Sequence, residues 1–165
     1  MKTLFLSCLA GILFSITASA QNPSFDRFFD RYADKDGFIT VSLTNLPAGI
    51  FNDGKNDPDF RISTLRVLAV QDDLLNGKLN FYNEFLPGFN HSGYEELLSI
   101  KHNGEKTIML CKKDKKRITE VLFVSGGKSN VMVEITGSMT LDQAKKITSN
   151  AASKDNNSEQ ADNNK

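Results

Sequence analysis

The chain has 165 residues, of which 39% are hydrophobic and 24% are charged, and its formal net charge is zero. This composition is typical of one globular domain and excludes fibrous, disordered and disulfide-dense chains. Because no basic excess is present to neutralise phosphates, we expect no nucleic-acid partner.

The first 20 residues have the pattern of a secretory signal peptide. Lys2 precedes an apolar stretch from Leu4 to Ile16, and small residues follow at Ala18-Ser19-Ala20. We therefore expect cleavage between Ala20 and Gln21, with the exported chain periplasmic or secreted. The apolar stretch is too short for a stable membrane span, so no transmembrane segment is expected after cleavage. The alternative is a retained N-terminal anchor.

Cysteine usage predicts a mature chain without an internal disulfide. Cys8 lies inside the apolar leader and Cys111 lies in a predicted strand, which leaves one cysteine after cleavage. We expect Cys111 to be a small buried hydrophobe rather than a reactive thiol.

A first helix is predicted after Pro23, with Ser24 as its N-cap. Its apolar residues recur at helical spacing, which favours packing on a sheet over a ligand platform. These residues are Phe25, Phe28, Phe29 and Tyr32.

Residues 34–40 are similar to the middle of a calcium-binding loop. Tyr32 and Leu43, however, occupy positions where carboxylate ligands are needed, so we reject the site. The segment instead predicts a helix-to-strand turn in which Gly37 adopts a positive φ.

Two strands are predicted next, at Phe38–Thr44 and Arg61–Val70, and their pairing stays open. The polar loop between them, Phe51–Phe60, favours a solvated turn over a cation site. A short helix is predicted over Leu79–Leu86. A second helix is predicted after the capping box Ser92–Glu95, and Gly104 closes it.

Three apolar runs then predict an antiparallel meander, at Thr107–Lys112, Ile118–Ser125 and Val131–Gly137. With a four-residue first turn, one face is entirely apolar and forms the predicted core. That face consists of Ile108, Leu110, Val121, Phe123, Val131, Val133 and Ile135. The other face is mixed and is predicted to be partly solvated.

A last helix is predicted from the capping box Thr140–Gln143, with an apolar stripe at Leu141, Ala144 and Ile147. Residues 149–165 are polar and predict a disordered tail, which leaves one domain over residues 21–148. The predicted fold is α+β. It is a two-layer sandwich with a mainly antiparallel sheet of about five strands and helices on one face, in the order α-β-β-α-β-β-β-α.

Candidate catalytic residues are few. Glu120 and Glu134 lie near each other on the predicted wet face, with Glu120 opposite Thr136 and Glu134 opposite Leu122, and they are interpreted as solvated face residues. His91 and His102 have no partners at metal-ligand spacing. No catalytic, cofactor-binding or metal-binding residue is therefore assigned, and no cofactor is expected.

Several short segments of the sequence are similar to one known family. They are Phe28–Tyr32, Gly37–Ser42, Tyr94–Leu97, Gly104–Lys106, Ile118–Leu122 and Ile135–Gly137. On these residues the chain resembles the domain of unknown function 4252 family over about Phe25 to Ile147. The resemblance implies a small exported protein of the bacterial envelope without an established activity. Some family members look lipid-anchored, whereas Ala20-Gln21 here favours release.

The expected function is a non-catalytic binding or interaction domain whose protein or small-molecule partner in the envelope is unknown. Two alternatives stay open. One is an enzyme whose site assembles from scattered residues such as Glu120, Glu134 or His102. The other is an accessory component of envelope signalling.

Overall fold

The computed structural model describes residues 22–46 and 57–153, with side chains up to residue 148. The predicted signal peptide, most of the predicted polar loop and residues 154–165 of the predicted tail lie outside these residues. Six antiparallel strands form one open sheet in the order β1-β2-β6-β5-β4-β3. The elements in chain order are α1 (Pro23–Tyr32), β1 (Phe38–Leu46), β2 (Arg61–Val70), α2 (Asp73–Asn76), α3 (Phe81–Phe85), a 3₁₀ turn (Leu86–Gly88), β3 (Glu95–His102), β4 (Glu105–Asp114), β5 (Arg117–Gly126), β6 (Val131–Met139) and α4 (Leu141–Ser153).

Helix α1 begins two residues earlier than predicted. Its N-cap is Asn22, whose side chain accepts hydrogen bonds from the backbone N–H groups of Ser24 and Phe25. Pro23 then occupies the first helical position, where its missing N–H has no cost. The assignment of Ser24 as N-cap was wrong, whereas the aromatic stripe is buried against the sheet as predicted.

The turn after α1 joins it to the first hairpin. Gly37 has a φ of 83°, as the predicted helix-to-strand turn requires. Strands β1 and β2 pair with each other antiparallel, which resolves the pairing that the sequence left open.

The predicted helix after Ser92 is wrong, because residues 95–102 form strand β3 at the edge of the sheet. Asn103 and Gly104 both have positive φ, 47° and 86°. Two such residues between paired strands make a tight hairpin turn of the type that Asn-Gly favours. The sheet therefore has six strands rather than about five, and the predicted element order changes accordingly.

The predicted register of the first meander hairpin is also wrong. Asp114 pairs with Arg117, so the turn has two residues rather than four. A β-bulge at Thr119 then shifts the pairing by one residue, and Ile108 faces Val124 instead of Val121. Because side chains alternate along a strand, this shift moves Ile108 and Leu110 to the opposite face of the sheet.

The second meander hairpin has the predicted register. Val121 pairs with Ile135 and Phe123 with Val133, while Glu120 lies opposite Thr136 and Glu134 opposite Leu122.

Both faces of the sheet are covered, so the molecule has three layers, not the predicted two. Helices α1 and α3 pack on one face with Leu68, Leu122 and Met132. Helix α4 packs on the other, where the buried residues include Val121, Val133 and Ile135, together with Ala144 and Ile147. We call these the α1 face and the α4 face. The meander side that was expected to be partly solvated is therefore the α1 face.

Helix α4 starts with the predicted capping box. The Thr140 backbone N–H donates to Gln143 Oε1 at 2.7 Å, and the Gln143 N–H donates to Thr140 Oγ1 at 3.3 Å. Ala144 and Ile147 are buried as predicted, whereas Leu141 is 40% exposed. No helix in the described part of the chain is long and apolar enough to cross a membrane.

Candidate functional site

A network of charged side chains lies between α1 and the sheet. Arg66 of β2, Glu134 of β6 and Glu120 of β5 are all buried on the α1 face. Buried charges are costly unless they are paired, so their partners define the most unusual part of this core.

Arg66 is the centre of the first half of the network. Its Nε and Nη2 atoms donate to Glu134 Oε2 at 2.8 and 2.5 Å. Nη2 also lies 2.7 Å from Oδ1 of Asp26, on α1. The guanidinium carbon sits 4.5 Å from the ring centroid of Phe25, so the helix covers Arg66 with an aromatic ring as well as a carboxylate.

Glu134 is the most deeply buried carboxylic acid in this network. Its residue exposure is 0%, and its Oε1 has no hydrogen-bond partner in the described residues. Burial raises the pKa of Glu134 to about 7, against the lowering effect of Arg66, and the neighbouring Glu120 and Asp26 carboxylates raise it further.

The second half of the network runs from Glu120 to the start of α1. Tyr94 donates a short hydrogen bond to Glu120 Oε1, and Lys112 donates to Oε2 at 2.9 Å. The Tyr94 hydroxyl in turn accepts from Asn22 Nδ2 at 2.7 Å. Burial, followed by the bond to Glu120, raises the pKa of Tyr94 well above its ordinary value. Asn22, which caps α1, is thus hydrogen-bonded to Tyr94, which in turn binds Glu120.

An open hollow of about 290 Å³ lies beside this second half. Tyr94 and Lys112 belong to both the hollow and the network. The Lys112 ammonium also lies 4.4 Å from the Tyr94 ring centroid, so Lys112 is held on two sides. The complete lining is Asn22, Pro23, Ser24, Asn90, Ser92, Tyr94 and Lys112.

The lining can bind polar groups. Serine hydroxyls and the Asn90 amide supply hydrogen-bond donors and acceptors, and Lys112 supplies a cation. Glu120 itself lies behind Tyr94, with a side-chain exposure of 4%.

A second hollow, of about 380 Å³, lies at the hairpin end of the sheet. It is lined by Asp73, Asn76, Gly77, Asn103, Gly104, Gly127 and Lys128. None of these residues belongs to the charged network.

The two acids singled out from the sequence are therefore brought together, but in a different environment from the one expected. Interpreting Glu120 and Glu134 as solvated residues was wrong, since both are buried beneath α1. His102 is exposed at the end of β3 and His91 packs edge-on against Phe89. Neither histidine belongs to the network.

Sequence reasoning missed the other members of the network, which are Arg66, Asp26, Tyr94, Lys112 and Asn22. One signal was present. Arg66 interrupts the otherwise apolar run Leu65–Val70, and an arginine within a central strand requires a buried acid nearby.

Other reactive groups do not add to the site. Cys111 is buried, as predicted, and burial raises the pKa of its thiol. In the described residues no group of three or more His, Cys, Asp or Glu side chains could hold a metal ion.

Comparison with known proteins identifies the family. Comparisons with curated proteins and with solved structures give no match. The sequence profile of the domain of unknown function 4252 family matches residues 60–147, which is just over half of the chain. The match begins later than the resemblance suggested and leaves α1 and β1 outside it. Arg66, Tyr94, Lys112, Glu120 and Glu134 lie inside the match, whereas Asp26 and Asn22 lie outside it. The chain belongs to the domain of unknown function 4252 family.

Proposed function

We propose that this protein is an exported, non-catalytic binding domain of the bacterial envelope that takes a small polar ligand in the hollow beside Tyr94. The observation that carries the proposal is the construction of that hollow. Its polar lining rests on a buried network that fixes Tyr94 and Lys112 in place. A site whose polar groups are held before the ligand arrives loses less entropy on binding.

A binding role is favoured over catalysis because the acids are already engaged. Glu120 is bonded to Tyr94 and Lys112, and Glu134 is paired with Arg66. A general acid or base must reach a substrate atom within hydrogen-bond distance. Side-chain exposures of 4% for Glu120 and 1% for Glu134 keep both carboxyls away from the hollow.

An enzyme is the second candidate, and the perturbed pKa of Glu134 is the observation that favours it. Acids whose pKa is raised toward neutrality are enriched at catalytic sites. A substrate would then have to reach Glu134 by displacing α1.

The two candidates are separated by a ligand screen on the exported chain. Thermal shift and calorimetry against sugars, amino acids and short peptides should give ligands whose binding Ser92→Trp abolishes, because the indole fills the hollow. Ser129→Trp, in the exposed β5–β6 loop, is the matched control and should bind normally. Equal binding by both variants, or no ligand at all, contradicts the proposed site. Mass spectrometry showing chemical conversion of a bound ligand would favour the enzyme.

Export is tested separately. N-terminal sequencing of the protein recovered from envelope extracts should begin at Gln21, as cleavage after Ala18-Ser19-Ala20 predicts. A chain that keeps Met1 in the cytoplasm contradicts the proposed location.

A further inference from the structure

Strand β1 lies at an edge of the sheet, and its backbone is irregular near its C-terminal end, where Asn45 has a φ of 53°. Its nine residues, Phe38–Leu46, include no charged residue and no proline. In the described part of the chain it pairs only with β2, on its inner side. Charges, prolines and bulges are the usual means by which edge strands avoid pairing with other chains.

The opposite edge strand, β3, is protected by those means. It carries Glu95, Glu96 and Lys101, and its pairing is interrupted by a bulge between Glu96 and Leu98. Glu95 also forms an ion pair with Lys113 of the neighbouring strand. The two edges of one sheet therefore differ in their readiness to accept another strand.

We propose that β1 pairs antiparallel with β1 of a second copy of this chain, about a two-fold axis at Ser42. Ser42 is the middle residue of Phe38–Leu46, and this register aligns the extended residues Thr40–Thr44 of the two copies, whereas Asn45, with a φ of 53°, leaves the extended conformation. The pairs nearest the axis then consist of compatible side chains. Thr40 faces Thr44 of the second copy on the α1 face, and Val41 faces Leu43 of the second copy on the α4 face.

This pairing covers apolar surface that the single chain leaves open. Leu43 is 40% exposed, although it pairs with the buried Leu65 on the same face. Val41 of the second copy would pack on it, and the two-fold axis repeats the contact. Because β1 has no charge, self-pairing places no like charges opposite each other.

The contrast between the edges also limits the assembly to two copies. A two-fold β1–β1 contact uses the same surface on both chains and closes on itself. Further growth would require β3 to pair with β1 or with another β3, which its charges and bulge oppose. The product is a closed dimer with one continuous sheet across both chains.

Disulfide trapping tests the register in the full chain. With Cys8 replaced by Ser and Cys111 buried, Ser42→Cys places two thiols opposite each other on the axis. It should form a covalent dimer on mild oxidation, whereas Ser99→Cys on exposed β3 should not. A mixture of Thr40→Cys and Thr44→Cys should cross-link, and Thr40→Cys alone should not, because its two copies are four residues out of register.

Sedimentation over a dilution series tests the association itself. The unmodified chain should be a dimer that dissociates on dilution. Leu43→Lys should weaken the association roughly tenfold or more, since two symmetry-related pairs are lost. Because Leu43 is 40% exposed, the single chain should stay folded, which circular dichroism checks. Ser99→Lys on β3 is the control and should leave the association unchanged. A monomer at every concentration, association through β3, or β1 occupied by a different protein would each overturn the proposal.

Discussion

At the residue scale, the balance of charge beneath α1 is the main physical constraint on this protein. The network contains three carboxylates, Asp26, Glu120 and Glu134, and two cations, Arg66 and Lys112. With every group ionised it carries one excess negative charge in a largely buried region. One bound proton makes it neutral, and Glu134, whose pKa burial raises to about 7, can hold that proton.

Glu134→Gln should therefore change how stability depends on pH. The pKa of Glu134 is about 7 in the folded chain, above that of an unfolded glutamate at about 4.3. Between these values the folded state binds more protons, so the group's contribution to stability is present at low pH and is lost as pH rises to 7. The amide does not titrate. Relative to the unmodified chain, the variant should gain about 2–3 kcal/mol in free energy of unfolding between pH 5 and pH 8.

Urea denaturation at several pH values measures this difference. Glu96→Gln, at an exposed position of β3, is the matched control and should give a profile parallel to the unmodified chain. Parallel profiles for Glu134→Gln as well would mean that Glu134 is ionised across the whole range.

At the element scale, the sequence predicted an element correctly where its apolar pattern and its capping residues indicated the same structure. It failed where two local sequence patterns indicated different structures. Strand β2 has the predicted bounds, and the capping box at Thr140 starts α4 as expected. For β3, the Ser92–Glu95 capping pattern predicted a helix closed by Gly104, whereas Asn103-Gly104 forms a hairpin turn between β3 and β4. The buried network could not be predicted, because a single bulge at Thr119 decides which face of β4 meets α1.

A substitution at Asn103 distinguishes the two interpretations of this segment. In the hairpin turn Asn103 has a φ of 47°, whereas in a helix ending at Gly104 it would have a negative φ. Asn103→Ala should therefore cost about 1 kcal/mol, because alanine resists the left-handed conformation. Asn103→Gly is the control at the same site and should change stability by only a few tenths of a kcal/mol. An alanine variant as stable as the glycine variant would argue against the turn. Chemical denaturation provides both values.

At the scale of the whole molecule, the three-layer arrangement explains why the acids are hidden. With helices on both faces, the charged network lies inside the molecule instead of on a solvated surface. The family match covers the sheet from β2 onward and the first seven residues of α4, while α1, which covers the network, lies outside it. The binding hollow is bounded by Asn22, Pro23 and Ser24 at the start of that helix and by Tyr94 and Lys112 from the matched region.

The second helical layer can be tested with two substitutions on α4. Ile147 is 3% exposed and belongs to the cluster on the α4 face, whereas Leu141 on the same helix is 40% exposed. Ile147→Ala should lower the free energy of unfolding by about 2–4 kcal/mol, because it leaves a cavity between helix and sheet. Leu141→Ala removes a similar volume from a largely solvated position and should cost less than about 1 kcal/mol. Because alanine suits a helix at both sites, helix propensity does not account for the difference. Equal losses from the two variants would mean that α4 is not packed on the sheet through Ile147, and the α4 face would then be solvated.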